Sequence, residues 1–160
     1  MKVKDVMVGT PAFCSPETNV AAAVEMFWTR NCGILPVLGN DGKMKGVITD
    51  RDVCIALGTR NRLAGDLTAA EVMTGRVVSC FEEDNIQAAV ELIRQEGVRR
   101  LPVLGSDGSL KGILSMDDVV RHSTDASGKA ELPYDVVVTA FKSIYTHQLP
   151  GIVRANTAAA

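Results

Sequence analysis

Apolar residues along this chain follow two different periods. Val20, Ala23, Val24 and Phe27 fall three or four residues apart, and Ile86, Ala89, Val90 and Ile93 repeat that spacing. One helical face collects residues so spaced, which predicts helices from Val20 to about Arg30 and from Ile86 to about Glu96. Thr18-Asn19 and Asp84-Asn85 stand just ahead of them, with side chains able to cap a first turn. The pattern then changes to short, nearly continuous apolar runs at Ile34–Leu38, Met44–Thr49, Arg100–Leu104 and Leu110–Ser115. These read as strands buried on both faces. Gly39-Asn-Asp-Gly42 and Gly105-Ser-Asp-Gly108 join them as hairpin turns, where Gly and Asp tolerate positive φ. Brief extended stretches, Pro11–Cys14 and Val77–Cys80, precede the first helices, and second helices begin at Asp50 and Met116. Each unit is therefore strand–helix–strand–strand–helix, an α+β class with α/β-like character.

The two sets of elements are copies. Sliding the sequence by 66 positions lays residues 7–54 on 73–120 without a gap, and about 20 of the positions are identical. LeuProValLeuGly occurs at 35–39 and again at 101–105. Such self-similarity marks a duplicated structural unit. A unit of roughly 60 residues is marginal alone, so two are expected to pack as one body. The organisation read from the chain is a first repeat over 1–62, a second over 63–125, and a loop, helix and tail over 126–160. Leu57–Leu67 reads as the linker. Beyond Arg121, Ser123–Lys129 reads as a loop. Apolar positions 136, 137, 140, 141, 144 and 145 form a helical stripe within 135–146. Asn156–Ala160 reads as a frayed tail.

Composition narrows the picture. Hydrophobic residues make up 46% of the 160 and aromatics only 4%, so the core must come from Val, Leu, Ile, Ala and Met. A net charge of −2 gives no reason to expect nucleic acid or an anionic membrane as partner. No apolar run approaches the ~20 residues of a membrane span. Met-Lys-Val-Lys-Asp lacks a signal peptide's apolar stretch, so a cytoplasmic location is expected. The 4 cysteines form no Cys-x-x-Cys pair and only 2 histidines are present, so no metal site is expected. Cys32 aligns with Val98 and Cys54 with Val120, as small buried hydrophobes would. Cys14 and Cys80 share one repeat position. A bond between them stays open, although a cytoplasm keeps thiols reduced.

The chemistry sits in Gly46-Val-Ile-Thr49-Asp-Arg-Asp52 and Gly112-Ile-Leu-Ser115-Met-Asp-Asp118, each at a strand-to-helix junction. Two readings fit. A Thr or Ser three residues before an acid is a capping box, which needs no ligand, although Glu or Gln is its usual acid. The same junction offers free N–H groups and partial positive charge to a phosphate. There Thr49 or Ser115 would donate to phosphate, and Asp52 or Asp118 would accept from the two hydroxyls of a ribose. Ile34 and Pro36 could sandwich a purine. Arg51 lies within the first motif, and Arg99-Arg100 lead into the second LeuProVal. Both either reach back to solvent or contact an anion. Arg51 is replaced by Asp117 in the second copy, and Arg99-Arg100 by Gly33-Ile34 in the first. The two sites are therefore not expected to bind identically. Catalysis is not expected, because His122 and His147 lie outside the repeated motifs and no nucleophile or metal partner accompanies the aspartates.

These motifs resemble those of the cystathionine-β-synthase-type domains, or CBS domains, over about residues 3–122. The resemblance implies two repeats packed about a pseudo-twofold axis with two clefts, and a homodimer of such modules. It implies adenosine-type ligands: AMP, ADP, ATP, S-adenosylmethionine, sometimes NAD or diadenosine polyphosphates. Residue by residue, Asp52 and Asp118 would hold ribose. Thr49, Arg51, Ser115, Arg99 and Arg100 would face phosphate. Pro11, Ala12, Ile34, Pro36, Val77, Val78, Leu101 and Pro102 would surround adenine. Asp117 departs from the pattern and would disfavour a polyphosphate at the second site. The implied role is a regulatory sensor that takes an adenine nucleotide as ligand rather than cofactor and acts on a separate effector protein. A structural dimerisation module with empty clefts is the alternative.

Overall fold

The computed structural model describes residues 1–124 and 132–145. Most of the expected loop after Ser123, His147 and the tail at 156–160 lie outside the described residues, as does residue 146 of the expected last helix. In chain order the elements are β1 (Val8–Gly9), α1 (Val20–Arg30), β2 (Ile34–Leu38), β3 (Met44–Thr49), α2 (Asp50–Arg60), α3 (Ala69–Val72), β4 (Cys80–Phe81), α4 (Ile86–Glu96), β5 (Arg100–Leu104), β6 (Leu110–Ser115), α5 (Met116–Arg121) and α6 (Tyr134–Tyr145). Local chemistry sets their limits. The Asn19 side chain accepts from the Ala22 amide at 2.8 Å, and the Asn85 side chain accepts from the Gln87 amide at 2.8 Å. Each thereby satisfies a donor that the first turn leaves free. The turn glycines Gly42 and Gly108 take φ of +71° and +77°, which closes the two hairpins.

Several expectations change. The extended stretch Pro11–Cys14 contributes a single bridge, Cys14 to Val37, and Val77–Cys80 becomes strand only from Cys80. Cys54 is exposed and Cys32 half-buried, so neither is a buried hydrophobe. β2 and β5 are buried on both faces, but β3 and β6 alternate: Gly46, Ile48, Gly112 and Leu114 are buried, while Val47, Thr49, Ile113 and Ser115 are only half-buried. The second face of β3 and β6 opens onto a cleft instead of a core. The Leu57–Leu67 linker is also shorter than expected, since α2 continues through Arg60. Gly58 near its end costs helix stability but adds no breaker, and Leu67 is wholly buried.

The sheets are built across the repeat. β5 and β6 pair antiparallel, β4 pairs parallel with β5, and β1 of the first copy completes this sheet by pairing antiparallel with β6, Val8 against Ile113. In the other half β2 and β3 pair antiparallel, with bridges from Cys14 to Val37 and from Thr74 to Val47. Exchanging residues for their counterparts in the other copy maps the β5–β6 ladder onto β2–β3, Val8 against Ile113 onto Thr74 against Val47, and Cys80 against Val103 onto Cys14 against Val37, which is the pseudo-twofold relation. β1 and β4 each extend their pairing by one further residue. The cores cross over in the same way. Val3 and Val6 pack with Ile86, Ile93, Leu101 and Leu114, whereas Leu67, Ala69 and Val72 pack with Val20, Leu35 and Ile48. α6 then adds Val137, Ala140 and Ile144 to the second core, against α4.

Candidate functional site

Both strand-to-helix junctions form complete capping boxes. Thr49 donates its amide (2.9 Å) and hydroxyl (2.6 Å) to Oδ2 of Asp52, and Oγ1 accepts from the Asp52 amide at 3.2 Å. Ser115 repeats this with Asp118 at 3.0, 2.5 and 3.2 Å. The capping reading is therefore realised in full. It engages one oxygen of each carboxylate. Oδ1 of Asp52 and of Asp118 receives no hydrogen bond from any described residue, and both side chains border a cleft. Asp118 keeps 5% of its surface exposed, the single buried charged side chain among the described residues.

The first cleft, about 440 Å³, contains Thr49, Arg51 and Asp52 of the first copy, and its far wall is Val78, Val98, Arg99, Arg100 and Pro102 of the second. The second, about 720 Å³, contains Ser115, Asp117 and Asp118, and its far wall is Pro11, Ala12, Ile34 and Cys32 of the first copy. Volumes of this size are typical of small-molecule sites. Each cleft thus pairs a capped acid from one repeat with an apolar wall from the other, a direct result of the crossed segments. Ile34 borders both.

Three expected wall residues lie elsewhere. Leu101 is wholly buried in the second core. Pro36 is buried in β2 and its carbonyl accepts from the Cys14 amide at 3.0 Å. Val77 is half-buried and borders neither cleft. The strand period of two sends Leu101 to the core face. Conversely, the sequence reading passed over several cations. Arg30 and Arg121 border the second cleft, and Arg76 the first, where it pairs with Glu96 at 2.7 Å. Arg121 was readable, because it lies three residues beyond Asp118 and so on the same helix face. Arg30 and Arg76 carry no local signal. Arg99 borders the first cleft and stands 5.3 Å from the centre of the Tyr145 ring, a cation–π contact with α6.

Of the cysteines only Cys32 borders a cleft. All four are free thiols, and Cys14 and Cys80 lie in different cores. Burial pushes their thiols up to about 11 and about 12, so both stay protonated and inert. Burial likewise raises the Cys32 thiol at the second cleft. Among the described residues no group of three or more His, Cys, Asp or Glu side chains could hold a metal, and no helix is long and apolar enough to cross a membrane.

The geometry describes a tandem-repeat module with two clefts, each lined by both repeats. The chain belongs to the CBS domain family, whose model matches residues 3–59 and 69–125. It is 31% identical over 130 residues to the CBS domain-containing protein YhcV of Bacillus subtilis, spanning 80% of this chain and 91% of YhcV. It is also 31% identical over 120 residues to inosine-5'-monophosphate dehydrogenase of Methanocaldococcus jannaschii, but there it spans only 23% of the enzyme. Among solved structures, CBSX2 in complex with AMP superimposes with a TM-score of 0.65 at 27% identity, over 75% of this chain and 93% of CBSX2.

Proposed function

We propose that this chain binds an adenosine-containing nucleotide between its two repeats and reports the occupied state to a partner protein through a change in their packing. One observation carries the reading. Each capped aspartate keeps an unengaged oxygen and borders a cleft, at a helix start and across from apolar residues of the other repeat. The free oxygen suits ribose hydroxyls, the helix start and neighbouring arginines suit phosphate, and the wall suits a purine. The AMP complex of CBSX2 supports the ligand class. A ligand can shift repeat packing only through its different affinity for the two arrangements. Residues from both repeats lining each cleft supply that difference.

A thermal-shift panel tests this. A ligand at 100 times its Kd stabilises by about 2.7 kcal/mol. At roughly 2–4 °C per kcal/mol, Tm should rise by about 5–10 °C. AMP, ATP, S-adenosylmethionine and NADH are the probes and GTP the control. The double variant Asp52→Asn, Asp118→Asn keeps a carbonyl oxygen for each cap and presents an amide to each cleft. It should melt near the parent chain and lose the shift. No shift for any adenylate at millimolar concentration would defeat the proposal.

A second reading, a structural dimerisation module, has one observation in its favour. Val24 and Trp28 lie one turn apart on α1, 42% and 86% exposed. Sedimentation that shows a dimer, together with a flat ligand panel, would favour that reading.

A further inference from the structure

The clefts share more than a wall. Gly33, Ile34 and Arg100 border both of them, and of these only Arg100 is charged. Its counterpart in the first copy is Ile34, so the repeat supplies this shared position with one cation rather than two. Arg100 is half-buried, and its guanidinium lies against Gly33, where a Cβ would meet it at 3.2 Å. A side chain at position 33 would require the guanidinium to give way by a few tenths of an ångström. No hydrogen bond or ion pair joins the Arg100 side chain to any described residue. Its five N–H donors are left for whatever enters the clefts. The other cations at the clefts divide between them. Arg51, Arg76 and Arg99 border only the first, and Arg30 and Arg121 only the second.

We infer that the two clefts compete for the one guanidinium of Arg100, so that a phosphorylated ligand in either cleft weakens phosphate binding in the other. The inference rests on the nucleotide reading above and adds a regulatory consequence to it. A guanidinium presents its fork to one phosphate at a time when it binds in bidentate fashion. The second anion then meets a neutralised arginine and a like charge nearby. The coupling is reciprocal, as equilibrium linkage requires. It acts on phosphate alone, so a nucleoside should not feel it. Two sites that differ in phosphate affinity and antagonise each other respond over a wider concentration range than two independent ones.

The test is calorimetry on the intact chain with ADP and with adenosine. Asp52→Asn and Asp118→Asn, each alone, isolate one cleft and give the affinity of the other with its neighbour empty. In the parent chain the second ADP should bind about 5- to 150-fold more weakly than the isolated cleft does, the usual range of site coupling. Adenosine should bind the two clefts as the isolated values predict. Arg100→Ile, which copies the natural residue at position 34, should weaken ADP at both clefts and abolish the coupling. A cleft that takes ADP only when its neighbour is disabled also supports the inference. Parent titrations that reproduce both isolated ADP affinities would overturn it while leaving the nucleotide reading standing. So would a cleft that stays empty whichever neighbour is disabled. ADP bound nowhere in any variant would sink both.

Discussion

Asp52 and Asp118 each close a capping box with one oxygen and leave the other without a partner among the described residues. Oδ2 accepts from the preceding Thr or Ser, and Oδ1 is left at the cleft. From sequence the capping box and the ribose site looked like rivals, because spacing alone does not say which oxygen is engaged. The structure shows the capping box using Oδ2 alone, so the two readings are compatible. Surface carboxylates give a different residue-scale prediction. Hydrogen bonds from Lys2 and Lys4 lower Glu83 from 4.5 to about 2, and Thr68 with Arg62 lowers Glu71 to about 2. A carboxyl held lower in the folded chain than in the unfolded one stabilises above its ordinary value. That contribution fades as pH falls from about 4.5 toward about 2. Urea midpoints should therefore drop across this window. Glu83→Gln should flatten part of the drop, and added salt more of it, because the pairs are exposed. An unchanged slope in Glu83→Gln would mean that the lysine clamp on residues 2–5 contributes nothing.

At the scale of elements the sequence was most legible where contacts are local. Helices α1 and α4 and the four long strands carry their periods openly, and their limits follow from Asn caps and Gly turns. The crossing of β1 onto β6 is long-range and leaves no periodic trace. Its signature was present in another form, the glycine that opens each Gly-x-x-[Thr/Ser]-x-x-Asp motif. A Cβ at Gly112 would stand 2.7 Å from the Val8 carbonyl oxygen, and one at Gly46 would stand 2.8 Å from that of Thr74. The other repeat's backbone passes there. Gly112→Ala must push β1 aside and should cost about 1–3 kcal/mol, the usual range for overpacking. Gly58 in α2 has nothing within 4 Å of its Cβ position, so Gly58→Ala should instead stabilise by roughly 0.5–1 kcal/mol. Chemical denaturation of both variants checks the pair. Equal effects would remove close passage as the reason for the motif glycine.

For the whole molecule the duplication is incomplete. α6 covers α4, and Val90 is 1% exposed, while the counterpart Val24 on α1 is 42% exposed. Residues outside the repeat thus break its symmetry. Arg99, in reach of Tyr145, ties α6 to the rim of the first cleft. Sequence patterning found the α6 stripe but could not show which helix it covers. Packing partners depend on the whole chain, and no local spacing encodes them.

The crossed leading segments make the two halves hostages of each other. Cut between residues 62 and 63, the first half would lose Leu67, Ala69 and Val72, and the second would lose Val3, Val6 and the β1 edge. Each fragment should give the collapsed amide spectrum of an unfolded polypeptide, and mixing should restore the dispersed spectrum of the intact protein. Because each cleft is walled by both fragments, adenine nucleotide should tighten their reunion. The fold would then serve as a split reporter whose glue is the metabolite itself.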